Sequence, residues 1–406
     1  MKRRILVPPE EQLRLLRRGA ARIVPEEELL AKLRRSWERD EPLRVKLGID
    51  PTAPDIHLGF AVVLWKLRQF QDLGHHVILI LGDFTARIGD PSGQDKTRPP
   101  LPLEVIQANA RTYREQMSLI LNPERMEVRR NGEWLDPLRF DDIIRLAAKL
   151  TVPRILERDD FQRRLQEGRE LRLHEILYPL CQAYDSVAIG ADVEMGGLDQ
   201  TFNILLGRDL QREFGQEPQV GFFMPLLVGT DGREKMSKSL GNYIGITEPP
   251  GEMYAKVMSI PDEVMRDYFL LCTSLPEEEV EEVLRGHPKQ AKMRLAREIV
   301  SLYHSPQAAQ EAEATFERVH RERELPEEVP EVLLSRSELE DGRIAPHRLL
   351  ALLGLVSSNS EGRRKILEGG AYIQGQRIPS LEPVAVEEGM VVHVGRRKFA
   401  RVRLKD

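Results

Sequence analysis

LRVKLGI (43–49), HLGFAVVLWKLRQFQDLG (57–74) and HVILIL (76–81) follow one another with only short connections. The first reads as a short buried strand. The second sets Leu58, Ala61, Val62, Trp65 and Leu73 near one face of a helix, with Phe70 close by, and Gly74 is a natural stop. The third is a near-continuous apolar run followed by Gly82, the pattern of a strand buried on both faces. Strand, loop, helix and strand make a βαβ unit, and such units build a parallel sheet covered by helices. The expected fold class is therefore α/β with a doubly wound parallel sheet.

Outward from this unit the texture changes. Residues 1–42 are charged and helix-prone, with Glu26, Glu27 and Glu28 after Pro25 marking a helix start. The stretch 101–190 is mostly helical by pattern, interrupted by MEVRR (126–130). Two more β signals follow, at DSVAIGAD (185–192) and VGFFMPLLVG (220–229). After Gly241 the chain reads as helical and acidic to about residue 320. RERELPEEVPEV (321–332), charged and with two prolines, reads as a linker. The tail holds GRR, Gly-Gly and the β-like runs AYIQGQRI and GMVVHVGRRKFARVRL, as a small α+β module would. The expected domains are 1–240, 241–330 and 342–406.

A chain of 406 residues exceeds one ordinary domain, and 41% hydrophobic with 31% charged residues excludes collagen, a coiled-coil rod and global disorder. Cys181 and Cys272 stand far apart in no cluster, so neither a disulfide scaffold nor a cysteine-based zinc site is expected, and a reducing compartment fits. MKRRILVPPEEQ at the N-terminus lacks an apolar signal core, and no apolar run reaches spanning length, so no signal peptide and no membrane partner are expected. The net charge of −5 is unevenly placed. Residues 342–406 hold 12 Lys or Arg against 6 Asp or Glu, a surplus of +6, which leaves −11 to the first 341. A basic module on an acidic body is the pattern of a nucleic-acid arm.

Two motifs carry chemistry. Asp50-Pro51-Thr52 followed by His57-Leu58-Gly59-Phe60 sits where the first strand gives way to the first helix. In doubly wound sheets, ligands bind beyond the carboxyl ends of the strands, against a helix N-terminus. A glycine there lets a flat base approach the backbone, and a histidine can donate to phosphate oxygens. Taken alone, His57 reads equally well as a surface residue beside a helix cap. The second motif is Lys235-Met236-Ser237-Lys238-Ser239, within GREKMSKSLGN. Two ammonium groups three residues apart in a Gly- and Ser-rich loop suit a triphosphate and its departing pyrophosphate. Alone, the same run also reads as a solvated basic loop. No dedicated metal cluster is visible.

Together, about 180 positions apart, the motifs resemble the HIGH and KMSKS signatures of class I aminoacyl-tRNA synthetases. GDFTARIGDPSG (82–93) and YPLCQAYDSVAI (178–189) look like the substrate-pocket segments of the bacterial tyrosyl branch, and GGLDQTFN (196–203) like its ribose-binding segment. The likeness runs from about residue 20 to the C-terminus, and LLGLVSSNSEGRRKILEGGAYIQGQ (352–376) resembles an S4-like RNA-binding domain. The resemblance implies a Rossmann-like catalytic domain, a helical anticodon-side domain and a small S4-like domain. It implies activation of L-tyrosine by ATP, with Mg²⁺ in the substrate complex and no tightly bound cofactor, then transfer to tRNA(Tyr). It also implies a homodimer and a cytoplasmic location.

Roles carry over residue by residue. Asp90, Tyr178 and Gln182 match the positions that hold the substrate α-ammonium, and Tyr178 and Gln182, at i and i+4, share a helix face. Asp185, three residues beyond Gln182, matches the acceptor of the phenolic hydroxyl. Gln200 and Lys46 complete the tyrosine set. The ATP set is Asp50, Thr52, His57, Gly59, Gly197, Asp199, Gln200, Lys235 and Lys238. Within it Asp199 would accept from ribose hydroxyls, Thr52 and His57 would bind the reacting phosphate, and Lys235 and Lys238 would follow pyrophosphate. Arg98 matches a loop position that helps with pyrophosphate. The catalytic set is thus His57, Thr52, Lys235, Lys238 and Arg98.

This chain departs from the pattern at three places. Phe60 replaces the second signature histidine and cannot donate a hydrogen bond. Lys46 stands where many relatives carry a tyrosine beside the phenol, which leaves more of the recognition to Asp185. Gln94 stands where a lysine is common. Rival readings are a tryptophanyl enzyme of the same fold, which the QAYD helix disfavours, and an RNA-binding protein without catalysis, which an intact KMSKS disfavours. Another nucleotidyltransferase with a histidine signature would leave the S4-like tail unexplained.

Overall fold

LRVKLGI and HVILIL lie side by side as parallel strands in the computed structural model, which describes residues 5–51, 55–90, 102–323, 329–340, 342–395 and 398–405. The chain separates into two units, Met1–Gln310 and Glu311–Asp406. In the first, strands β1 (Arg22–Val24), β2 (Arg44–Ile49), β3 (His76–Leu81), β4 (Met126–Arg130), β5 (Val193–Gly197) and β6 (Val220–Met224) form one sheet of order β1-β6-β5-β2-β3-β4. All neighbours are parallel except β1, which runs antiparallel on the β6 edge. The chain steps outward from β2 to β3 and β4, then returns to lay β5 on the other side of β2. That reversal opens a crevice beyond the carboxyl ends of β2 and β5.

The local causes are plain. Val77 to Leu81 are all buried, so β3 is the middle of a covered sheet. The helix Leu58–Asp72 buries Val63, Leu64 and Leu67 as well as Leu58, Ala61, Val62 and Phe70, so its covered arc is broader than one stripe. Trp65 is only half-buried, and its indole N–H donates to the Tyr303 hydroxyl at 3.0 Å. Gly74 takes φ +97°, which only glycine tolerates cheaply after the helix end.

Three readings need correction. The span 1–42 contains a strand as well as helices, because β1 pairs with the edge of β6. DSVAIGAD is not a strand over its length. Residues 185–189 finish the helix Leu173–Ile189, Gly190 caps it at φ +58°, and β5 starts only at Val193. The β-branched texture was outweighed by helical packing, with Tyr178, Ala183, Asp185, Ser186 and Val187 all buried. VGFFMPLLVG is a strand only to Met224, because Pro225 cannot donate to a ladder.

After residue 249 the first unit continues with helices Pro250–Ser259, Met265–Cys272, Glu277–Leu284 and Pro288–Tyr303. The second unit holds β7 (Glu331–Ser335), β8 (Arg343–Ile344), β9 (Ala371–Ile373), β10 (Gln376–Arg377), β11 (Val384–Ala385), β12 (Val391–Val394) and β13 (Lys398–Lys405). Five of these form a sheet of order β10-β9-β12-β13-β7, and β11 pairs with β8. One face of the sheet, with Leu334, Ala371, Val392, Val394, Ala400 and Val402, closes a core with Leu349, Leu350 and Ile366 from the helices Pro346–Leu352 and Asn359–Leu367. β7 begins within the stretch read as a linker.

Candidate active site

A cleft of about 570 Å³ occupies the crevice beyond β2 and β5. Asp50, His57, Gly59, Phe60, Asp90, Tyr178, Gln182, Asp185, Gly197, Asp199, Gln200, Lys235 and Lys238 all line it. Residues as far apart in sequence as Asp50 and Lys238 thus meet because β2, β5 and the helix Leu173–Ile189 converge there. Thr52, Arg98 and the departing position Gln94 lie outside the described residues.

At one end the cleft is lined by buried carboxylates. Asp185 accepts from the Trp134 indole N–H at 2.8 Å and from Asn131 Nδ2 at 3.3 Å. Asp50, at the end of β2, accepts from the Thr85 hydroxyl at 2.6 Å and from the Tyr178 hydroxyl at 2.9 Å. Burial pushes both the Asp50 and the Asp185 carboxyls up to about 7, with neighbouring carboxylates adding to the effect. Burial also raises the Tyr178 phenol well above its ordinary range, so it stays a donor. Gly82 is required here, since a Cβ would stand 2.0 Å from Asp50 Oδ1.

A chain of amides joins this end to the strand floor. Gln200 Nε2 donates to Asp90 Oδ2 at 3.0 Å, and its Oε1 accepts from Asn203 Nδ2 at 3.1 Å. Asn203 Nδ2 also donates to Gln182 Oε1 at 3.0 Å, and Gln182 Nε2 donates to Glu194 at 3.2 Å. Glu194 pairs with Lys46 at 2.9 Å, and both side chains are fully buried. The Lys46 ammonium also donates to Ser186 Oγ and to the Gln182 carbonyl. Lys46 does not line the cleft; it stands beneath Gln182.

At the other end stand one histidine and two lysines. His57 caps the helix Leu58–Asp72, and its Nδ1 accepts from the Phe60 N–H at 3.3 Å. Burial, with Lys238 and Lys235 nearby, pushes the imidazole down to about 4, so it is neutral. With Nδ1 an acceptor, the proton sits on Nε2, available as a donor. Lys235 pairs with Asp199 at 3.0 Å. Lys238 lies 5.8 Å from the Tyr113 ring centroid, and burial holds it below the ordinary lysine range. Asn242 fixes the loop between them: its Oδ1 accepts from the Ser237 N–H at 2.8 Å and its Nδ2 donates to Asp231 at 2.7 Å. At Gly197 a Cβ would meet the ends of the Asp199 and Leu226 side chains at under 3 Å, so any side chain there would shift Asp199.

Sequence reasoning missed Thr85, Asn131, Trp134, Glu194, Asn203 and Asn242. For Glu194 a signal existed. It is a lone acid between Val193 and Met195, as Lys46 is a lone base between Val45 and Leu47, and the two are register partners on adjacent strands. The amides carry no such mark.

Comparison with known proteins identifies the family. The family model for class I tRNA synthetases (W and Y) matches residues 38–321. A tyrosine–tRNA ligase of Moorella thermoacetica is 56% identical over 96% of this chain and 95% of its own length. One of Carboxydothermus hydrogenoformans is 50% identical over 97% and 98%. The crystal structure of an Archaeoglobus fulgidus tyrosyl-tRNA synthetase complexed with L-tyrosine superposes with a TM-score of 0.60 at 25% identity, covering 75% of this chain and 99% of that one. The chain belongs to the class I tRNA synthetase family that comprises the tryptophanyl and tyrosyl enzymes.

Proposed function

We propose that this cleft activates L-tyrosine with ATP to tyrosyl-adenylate and pyrophosphate, then transfers tyrosine to the 3′-terminal ribose of tRNA(Tyr). The observation that carries the reading is the buried Asp185 carboxylate, aimed into the cleft by Trp134 and Asn131. It is a ready acceptor for a phenolic hydroxyl, the group that separates tyrosine from phenylalanine. Tyr178, Gln182, Asp90 and Gln200 surround the place for the α-ammonium, with Asp50 between it and the ribose. The tyrosine carboxylate is itself the nucleophile, so the protein's task is placement and charge stabilisation. Neutral His57 donates from Nε2 to the reacting phosphate, Asp199 accepts from the ribose, and Lys235 and Lys238 follow the pyrophosphate. Thr52 and Arg98 keep the roles the resemblance implies. Lys46 acts through Glu194 and Gln182 rather than by touching tyrosine.

ATP enters as its Mg²⁺ complex. The domains are 1–240 for catalysis, 241–330 on the anticodon side and 342–406 for tRNA, a division supported by the charge surplus of the tail. The working form is a homodimer in the cytoplasm. Phe140, Ile144, Val152, Leu165 and Leu173, all exposed in the segment inserted before β5, supply apolar surface for a second copy.

Amino-acid-dependent ATP–pyrophosphate exchange tests the reading. Tyrosine is expected to drive exchange and tryptophan is not. Exchange driven by tryptophan, or by neither amino acid, overturns it.

A further inference from the structure

The face of the C-terminal sheet turned away from its helices carries a row of rings. Tyr372 on β9, His393 on β12 and Phe399 on β13 are register partners across three adjacent strands. The Tyr372 and His393 rings stack at 4.6 Å between centroids and 6° between planes; His393 and Phe399 stack at 4.9 Å and 26°. All three are half-buried rather than enclosed. The His393 Nδ1 lies 2.9 Å from the Gly395 carbonyl, which holds the imidazole in the column.

This row serves no core. The same strands turn Ala371, Val392, Val394 and Ala400 to the other face, where the core cluster forms. Arg377 extends the row on β10, where it is the register partner of Tyr372, and Arg401 and Arg403 share the face of Phe399 along β13, Arg403 being paired with Glu331 and Glu388. A column of stacked rings with an outer ring face at each end, bordered by cations, matches a nucleobase with its phosphates better than an apolar protein surface. The +6 surplus of this module is complementary to the same partner.

We propose that an unpaired base of the tRNA extends the Tyr372–His393–Phe399 column by stacking on the outer face of Tyr372 or Phe399, with Arg377 and Arg401 placed for the adjoining phosphates. This deepens the tRNA-ligase reading and rests on it. The column is a separate surface from the helices Pro346–Leu352 and Asn359–Leu367, which cover the opposite face of the sheet.

The test measures tRNA(Tyr) binding by the full-length chain carrying Tyr372→Leu with Phe399→Leu. Each substitution keeps apolar bulk and removes the ring. Affinity is expected to fall roughly 5- to 150-fold, the range for lost base stacking. The dependence of affinity on salt should stay the same, and so should tyrosine-driven pyrophosphate exchange. Arg401→Met should instead lower the salt slope by about one, as for one lost phosphate contact. Tyr372→Phe, which keeps the ring, should bind as the parent does. Ultraviolet cross-linking of parent and tRNA should label residues 371–377 or 398–403. Parent-like affinity of the double Leu variant overturns the proposal, as does equal loss in Tyr372→Phe. Changed exchange in the double Leu variant would mean that this face docks on the rest of the chain, which also overturns it. Failure of the parent to bind tRNA(Tyr) at all would instead overturn the ligase reading.

Discussion

The sulfur of Met236 accepts a hydrogen bond from the backbone N–H of Gly59 at 3.2 Å, joining the two signature motifs directly. Met236 is buried, and a Cβ on Gly59 would come within 3.2 Å of it. The lysine loop is therefore seated on the first turn of the signature helix by the one apolar residue in its motif. Met236→Ala should unseat the loop while leaving the tyrosine end alone. The expected result is about a tenfold fall in kcat/KM for ATP, about 1.4 kcal/mol of transition-state stabilisation, with tyrosine affinity unchanged. Steady-state exchange kinetics and equilibrium tyrosine binding measure the two sides. Equal loss in both would mean that Met236 supports the whole cleft.

The Lys46–Glu194 pair predicts a non-additive pattern. Lys46→Met strands a buried carboxylate beside Gln182 and Ser186, and such a loss costs about 3–5 kcal/mol. The double variant Lys46→Met with Glu194→Gln removes both charges and should recover most of that stability. Urea unfolding of the two single variants and the double gives the coupling. Simple additivity would show that the two side chains do not depend on each other. Tyrosine KM should follow the same order, since Gln182 rests on both.

How much of this could be read from the chain follows from the range of each interaction. The βαβ unit was legible because Val77 to Leu81 and the helix after His57 are written in short, regular patterns. β1 was not, because three residues at a sheet edge leave no period. DSVAIGAD misled for a related reason: Val187 and Ile189 favour strands locally, and only packing of the whole helix decides against them. In the site, Asp185 and Lys238 sit in recognisable motifs. Asn131, Asn203 and Asn242 act through side-chain contacts with residues from 3 to 54 positions away, and a lone asparagine in a sequence gives no sign of that.

The buried carboxyls give the free enzyme a defined pH response. Asp50 and Asp185 are each raised from 3.8 to about 7 by burial. A raised acid binds more protons folded than unfolded, so its stabilising contribution is complete below the unfolded value. It fades as pH rises toward 7, and above that the slope from these groups ends. Unfolding free energy should therefore decline between about pH 4 and 7, with a shallower decline in Asp185→Asn. Tyrosine binding should run the opposite way, because an α-ammonium needs the ionised form of Asp50. Its apparent Kd should rise as pH is lowered from 8 to 6, approaching tenfold per pH unit below about 7. Fluorescence titration across that range decides; a flat profile would remove Asp50 from the ammonium site.

Phe60 is the departure whose cost can be measured by reversing it. It lines the cleft one residue beyond Gly59, and its backbone N–H already serves His57. Its ring, only half-buried, adds no donor to an end of the cleft that otherwise offers His57, Lys235 and Lys238. Phe60→His keeps an aromatic ring of smaller size and adds an N–H facing the same space. One added hydrogen bond of about 1 kcal/mol corresponds to roughly a fivefold gain. The expected outcome is that gain in kcat/KM for ATP, with tyrosine affinity unchanged, measured by exchange kinetics on parent and variant side by side. A loss of activity would mean that the phenyl ring itself packs on the bound nucleotide. The cleft would then have replaced a polar contact with an apolar one.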